Sequence, residues 1–326
     1  MFAKKKLDIM PNIKSKDKYN RKTIPKEKIK DIPPPYKIKL NKTEKSILNS
    51  SILYVKKFFN KNVGPEWKNI NSNSWNIPLT YLHAKSVFKY FIKNKLEQGF
   101  GKYQDYLFFP HPDYETPNSL LYHSGISSSL NIGLLNPHEI IEPTIKSNNI
   151  NSKEAFIRQL FWREYQRYCY NYCKNLHSKT LQKGYFKAKK YYDIKKWYNG
   201  TIDILPIDYC IKKAFNEGYL HHIERLMVVG NFMLLSGVNP QEGFKWFMEF
   251  SIDSYEWVMY QNVYDMVFYI TKGQTMTRPY ISSSNYILKM SNLTPKMSEY
   301  WSKIWDKLYD DFLKKNKGNV GYPYEW

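Results

Sequence analysis

Cysteine is scarce in this chain: Cys169, Cys173 and Cys210 are an odd count with no dense spacing. They cannot build a disulfide framework, and the pattern suits a reducing compartment better than a secreted scaffold. No apolar stretch follows the first lysines, so a signal peptide is not expected. The longest apolar stretch, around Leu226–Val238, is interrupted by Gly230, Asn231 and Ser236 and is too short to cross a bilayer. An intracellular, soluble protein without membrane partners is expected, with cytoplasm and nucleus not distinguishable. Also missing are a Gly-rich phosphate loop, a Gly-x-Ser-x-Gly elbow and a His-Glu-x-x-His pair, which sets those enzyme classes aside. Cys169, Cys173 and His177 fall at i, i+4 and i+8 and can share one side of a helix. Zinc and iron–sulfur sites favour tight Cys-x-x-Cys pairs, so no metal site is expected.

Arginine is the second scarcity. Of 50 basic residues only six are Arg: Arg21, Arg158, Arg163, Arg167, Arg225 and Arg278. Lysine serves wherever a positive charge suffices, but it cannot copy the planar, always-charged fork of a guanidinium. Three of the six arginines fall within ten residues, 158–167, which makes that segment the first place to look for chemistry.

What is abundant is positive charge and aromatic area. Fifty Lys and Arg against 29 Asp and Glu give +21, a surplus that calls for an anionic partner such as nucleic acid. Residues 1–50 hold 15 basic and five acidic side chains, so the remainder of the chain is still strongly positive. Hydrophobic residues are 42% and aromatics 17%, so Phe, Tyr and Trp must supply much of the core.

Residues 1–45 are Lys-rich, lack apolar periodicity and carry Pro33-Pro34-Pro35, which reads as a disordered basic tail or linker. The 3.6-residue period begins near Ser46, so residues 46–326 form the folded domain. Helices are expected at 47–60, 80–98 and 127–135, the last ending at Asn136-Pro137. A long helix is expected over 152–176, capped by Asn151 or Ser152. Another starts at Pro206 and runs to about Ser236, with Gly237 stopping it. Two more are expected at 240–250 and 295–315. No β-α alternation is visible, and the fold class is all-α.

Two segments gather polar groups unusually. In EAFIRQLFWREYQRY, Gln159, Arg163 and Gln166 share one helix face, and Arg158, Trp162 and Tyr165 a neighbouring stripe. An amide, a guanidinium and an indole together suit a planar ligand. Surface pairing of the arginines with Glu164 explains the same residues equally well. In GYLHHIERLMVVGNF, adjacent His221 and His222 point about 100° apart and cannot share a metal from one face. Either can sit beside Arg225, and a buried Arg225 needs a carboxylate such as Asp253. An imidazole there can move protons or be a satisfied structural histidine.

These segments together resemble the photolyase/cryptochrome family, in particular its prokaryotic (6-4) photolyase-related branch. The resemblance runs from about Trp75 to Asn292. Its pieces stand in family order: WNIPLT, FGKYQD, LYHSGISSSLNIGLL, EAFIRQLFWREY, GYLHHIERLMVVGNF, SYEWVMYQNVYDM and RPYISSSNYILKMS. It implies a multi-helix FAD-binding domain. Ser124 and Ser127 match the loop that holds the FAD phosphates, with His123 where that loop often has Thr. Arg225 and Asp253 match an Arg–Asp pair beside the flavin, and Arg158, Arg163 and His222 complete the implied cofactor set. Gln159, Trp162 and His222 fall at the implied catalytic positions: lesion binding, lesion stacking and proton supply. Trp246 resembles the flavin-proximal electron-transfer tryptophan, with Trp197 a weaker candidate further out and Phe247 where Tyr is the rule.

The chain also departs from the family. The prokaryotic branch binds a [4Fe–4S] cluster through four cysteines, none of which is present, so no cluster is expected. The N-terminal α/β antenna domain is not seen in this sequence, and a separate antenna chain is one candidate partner. The resemblance implies a lyase that repairs UV photoproducts in damaged DNA with light, of the (6-4) type. A flavin photoreceptor without repair activity, and a helical nucleic-acid-binding remnant that has lost flavin, are the alternatives.

Overall fold

A computed structural model describes residues 8–22, 32–59, 70–110, 120–184, 186 and 194–317. Among these residues the fold is helical throughout, and the sole β contact is an isolated bridge between Leu107 and Ser291. The fourteen α-helices of the described chain are α1 (Asp17–Lys22), α2 (Lys42–Phe58), α3 (Tyr81–Phe91), α4 (Phe100–Tyr103), α5 (Ser127–Asn131), α6 (Pro137–Ile145), α7 (Ile150–Tyr172), α8 (Ile194–Asn199), α9 (Leu205–Glu217), α10 (Asn231–Ser236), α11 (Pro240–Phe250), α12 (Glu256–Met259), α13 (Ser284–Met290) and α14 (Pro295–Lys315).

Local chemistry sets most boundaries. The Asn41 side chain accepts from the Glu44 N–H while Glu44 returns a bond to the Asn41 N–H, a reciprocal cap that starts α2. The α7 cap is Asn149, one turn-half earlier than Asn151 or Ser152, because its side chain accepts from the Ser152 N–H at 3.0 Å. Asn136-Pro137, expected to end a helix, instead opens α6: Asn136 caps it and Pro137 takes the first turn, where a missing N–H costs nothing. Helices α11 and α14 match the expected ranges.

The single helix expected from Pro206 to Ser236 is two pieces. Gly218 adopts φ +64° and ends α9, and the chain resumes with a wide turn over Glu224–Gly230 before α10. Two more wide turns cover Ile92–Leu96 after α3 and Tyr260–Val267 after α12. Such i→i+5 turns are rare and gather at functional sites. Gly237, at φ +79°, stops α10 as the sequence predicts.

Part of the segment expected to be a disordered tail packs on the body. Met10 is buried, the Lys16 N–H donates to Glu154 Oε2 at 2.9 Å, and the Asn20 side chain donates to the Asn151 carbonyl. Residues 1–7 and 23–31 of that segment lie outside the described residues.

Buried side chains form two clusters rather than one. The smaller joins Met10, Phe88, Phe91, Phe100, Ile126 and Phe156. The larger is built on α9–α14 around Met227, Phe232, Trp246, Phe247 and Trp305. Helix α7 runs between them, with Phe156 and Ile157 in the first cluster and Cys169 in the second.

Candidate functional site

Where the two clusters face each other the core does not close. A cavity of about 430 Å³ remains, lined from the first cluster by Phe100, Ile126 and Phe156 and from the second by Leu226, Met227 and Phe247. Two of the three wide turns contribute, Glu224–Gly230 through Arg225 and Met227 and Tyr260–Val267 through Asn262 and Val263. An apolar lumen with a few converging polar groups is what a small-molecule site requires.

Asp253 organises one wall. It accepts from Arg225 Nη2 at 2.9 Å and from Ser127 Oγ at 2.6 Å, and the Ser251 hydroxyl bonds it as well. Its carbonyl accepts from Asn131 Nδ2 at 2.8 Å, tying α5 to the segment after α11. Burial pushes the Asp253 carboxyl up, but Arg225 and the two hydroxyls outweigh it, so the group is held below its ordinary range. Arg225 is fixed further by donating Nε to the Leu220 carbonyl at 2.7 Å and by lying over the Phe250 and Tyr219 rings. The pair is therefore rigid and charged.

Helix α7 supplies the opposite wall. Arg158, Gln159, Trp162, Arg163 and Gln166 all reach the lumen, the two stripes read from the sequence. Tyr165 does not; its hydroxyl donates to the Thr275 carbonyl. Gln166 is held by donating a hydrogen bond from Nε2 to Asn262 Oδ1 at 3.1 Å. Arg158 pairs with Asp17 at 3.4 Å and Glu154 at 3.6 Å, while Arg163 pairs with Glu164 and lies over Trp257. Both open readings of these arginines are thus realised: they have acid partners and they line the cavity.

His222 faces the lumen, which leaves its ring accessible although protein surrounds it on the other sides. Burial, with Arg225 adding repulsion, brings its imidazole down to about 4, so it is neutral at physiological pH. His221 turns the other way, into a buried polar knot. Its ring stacks on His123 at 4.5 Å, Glu224 Oε1 lies 3.6 Å from Nε2, and Lys213 closes on Glu224 at 2.7 and 2.9 Å.

All nine expected catalytic and cofactor residues therefore line one cavity: Ser124, Ser127, Arg158, Gln159, Trp162, Arg163, His222, Arg225 and Asp253. Trp246 and Trp197 do not. Trp246 lies behind Phe247, with ring centroids 5.2 Å apart, and donates its indole N–H to the Trp197 carbonyl at 3.0 Å. The Trp246 and Trp197 rings meet at 5.9 Å, so an aromatic row leads away from the cavity through Phe247. Cys169, Cys173 and His177 do not share one helix side, since α7 ends at Tyr172 and His177 belongs to a following tight turn. The sequence reading misses Asn131, Asn262 and Asp17. The first two carry a weak signal, an Asn inside a helix that is unfavourable unless its amide is bonded. Asp17 carries none beyond being an acid in a basic stretch.

Residues 156–287 match the FAD binding domain of DNA photolyase. A (6-4) photolyase of Agrobacterium fabrum is 30% identical over 231 residues, 67% of this chain and 43% of that protein. The chain belongs to the photolyase/cryptochrome family. This family member spans less than half the length of that relative. It is also 51% identical over 90 residues to uncharacterized protein R855 of Acanthamoeba polyphaga mimivirus, covering 28% of this chain and 72% of that one. A class III photolyase structure from Agrobacterium tumefaciens aligns with 77% of this chain and 53% of its own, at 18% identity and a TM-score of 0.49. Among the described residues of this photolyase-family chain, no helix is long and apolar enough to cross a membrane.

Proposed function

We propose that the cavity holds FAD and that the chain uses it to repair UV photoproducts in DNA, of the (6-4) type. The observation that carries the reading is convergence: nine residues spread from 124 to 253 reach one lumen at the seam of two core clusters. The polar groups suit a bound phosphate-bearing cofactor. Arg158 Nε and Nη2 and Arg163 Nε are buried at the cavity and find no hydrogen-bond acceptor among the described residues. Buried guanidinium nitrogens left this way favour an anionic occupant, since a lone unsatisfied donor is costly.

In this reading Ser124, Ser127, Arg158 and Arg163 hold the phosphates, and the Arg225–Asp253 pair lies along the flavin. Bound and reduced, the flavin supplies the light-driven electron, chemistry that belongs to the cofactor. The protein does the rest. A damaged base leaves the duplex at reduced cost because its stacking is already disturbed. Trp162 offers that base an aromatic face, and Gln159 an amide for its edge. His222, neutral and held beside Arg225, carries a proton on one ring nitrogen and can deliver it where negative charge develops. Lysine-rich surface grips the flanking phosphates.

The test is direct. Purified full-length protein is expected to carry FAD absorbance or to take FAD up on reconstitution, and after reduction to restore a (6-4)-containing oligonucleotide under near-UV or blue light. Protein that binds no FAD overturns the reading. Flavin-loaded protein that leaves the lesion intact under illumination makes it a photoreceptor instead.

A further inference from the structure

The N-terminal segment is sided. Its inward residues anchor it: Met10 is buried in the smaller core cluster with Ile9 and Ile13 packed beside it, and Asn20 is buried against the start of α7. Asp17 points to the cavity rim and pairs with Arg158. Its outward residues are Lys14, Lys18 and Tyr19, all exposed, with Tyr19 at 55%. A six-residue helix such as α1 does not hold its shape in water alone, so these anchors fix where the outward side chains stand. Asp17, the acid between Lys14 and Lys18, is turned toward Arg158 and so does not cancel them on the solvent side.

We propose that residues 9–20 form a fixed arm on the cavity rim that grips a nucleic-acid backbone, Lys14 and Lys18 taking phosphates and Tyr19 stacking on an unpaired base. The inference rests on the reading that a DNA base enters this cavity, and adds the element that positions the strand. Spaced cations with a single exposed aromatic suit a sugar-phosphate chain, in which charge and π-faces alternate. A lipid surface fits less well, because the arm has turned its apolar residues, Ile9, Met10 and Ile13, toward the body. Holding the cations in place before binding also removes ordering cost from the complex.

The experiment uses the full chain and fluorescently labelled duplexes, undamaged or with one UV photoproduct, titrated across a salt series. For Lys14→Ala/Lys18→Ala the slope of log K against log salt is expected to become shallower by about 1.8, two phosphates at about 0.9 each. Tyr19→Ala is expected to weaken binding several-fold with the slope unchanged. Met10→Ser, which loosens the arm but keeps its cations, is expected to lower the preference for damaged over undamaged duplex. A wild-type slope in the double variant, with wild type still preferring the damaged duplex, overturns the arm and leaves the DNA reading standing. Wild type that binds neither duplex overturns both, and binding to phosphatidylserine vesicles in place of duplex overturns the arm's assignment to nucleic acid.

Discussion

Lys213 and Glu224 are almost fully buried, and each is the other's close counter-charge, with the His221 backbone N–H also donating to Glu224 at 2.9 Å. Removing one partner strands a charge in the core. Lys213→Met is expected to destabilise the protein by about 3–5 kcal/mol, while Lys213→Met/Glu224→Leu recovers much of the loss. Urea unfolding of both variants checks this. The histidines next to that pair add a pH dependence. Burial, together with Lys213 and Lys95, brings His123 down to about 4, although two carbonyls near its ring nitrogens pull the other way. His221 is pushed well below its ordinary value by burial, then by His123 and Lys213. Unfolded, both return to about 6.5. Between those values the unfolded chain binds protons that the folded chain refuses, so stability is full above about 6.5 and falls as pH drops toward 4. The slope approaches about 1.4 kcal/mol per pH unit for each histidine. Denaturation midpoints at pH 7.5 and 5 should separate clearly, and coincident midpoints would show that neither ring stays neutral when folded.

At the scale of elements, the break after α9 decides which residues face the cavity. Gly218 holds φ +64°, and an added Cβ would lie 2.7 Å from Ile252 Cγ2, while its carbonyl accepts from the Ile252 N–H at 2.9 Å. Gly237 has a similar φ, +79°, with nothing near an added Cβ. Gly218→Ala should therefore cost about 2–3 kcal/mol and Gly237→Ala about 1 kcal/mol, the left-handed strain being common to both. Thermal or urea unfolding of the pair measures the difference, and equal losses would show that the Ile252 contact yields freely. Because Asp253 follows Ile252, Gly218→Ala should also loosen the Arg225–Asp253 pair and raise the dissociation constant for FAD, whereas Gly237→Ala should not.

The whole molecule is two clusters separated by a cavity, so its contents affect its stability as well as its activity. If FAD fills the lumen it ties both clusters together, and saturating FAD should raise the melting temperature. Protein whose melting temperature ignores FAD would have a lumen filled some other way. His222→Ala opens space at the cavity without touching the Asp253 hub. It is expected to abolish repair while leaving flavin content nearly intact, measured by absorbance after gel filtration. Loss of flavin would instead make His222 a structural wall.

Much of this was readable in advance because it depends on near neighbours along the chain. The 3.6-residue period places Gln159, Arg163 and Gln166 on one side of α7. Pro240 and Pro295 open helices where the missing N–H is harmless, and Gly237 closes one. The scarcity of arginine pointed to the 158–167 segment; Arg158 and Arg163 line the cavity, where a planar fork is useful, and Arg167 does not. What the chain order could not carry were contacts between distant segments. Whether Gly218 breaks a helix or rides inside it depends on Ile252, some thirty residues on. That residues 8–22 dock depends on the buried cluster that Met10 joins with Phe88, Phe91, Phe100 and Phe156, invisible in a lysine-rich stretch. Trp246 and Phe247 are neighbours in the same cluster, and only their packing in space puts Phe247 on the cavity with Trp246 behind it. Sequence alone placed most of the helices and the chemistry each presents; the tertiary fold decided several of their ends and which of those side chains meet, because burial and pairing are settled by neighbours in space.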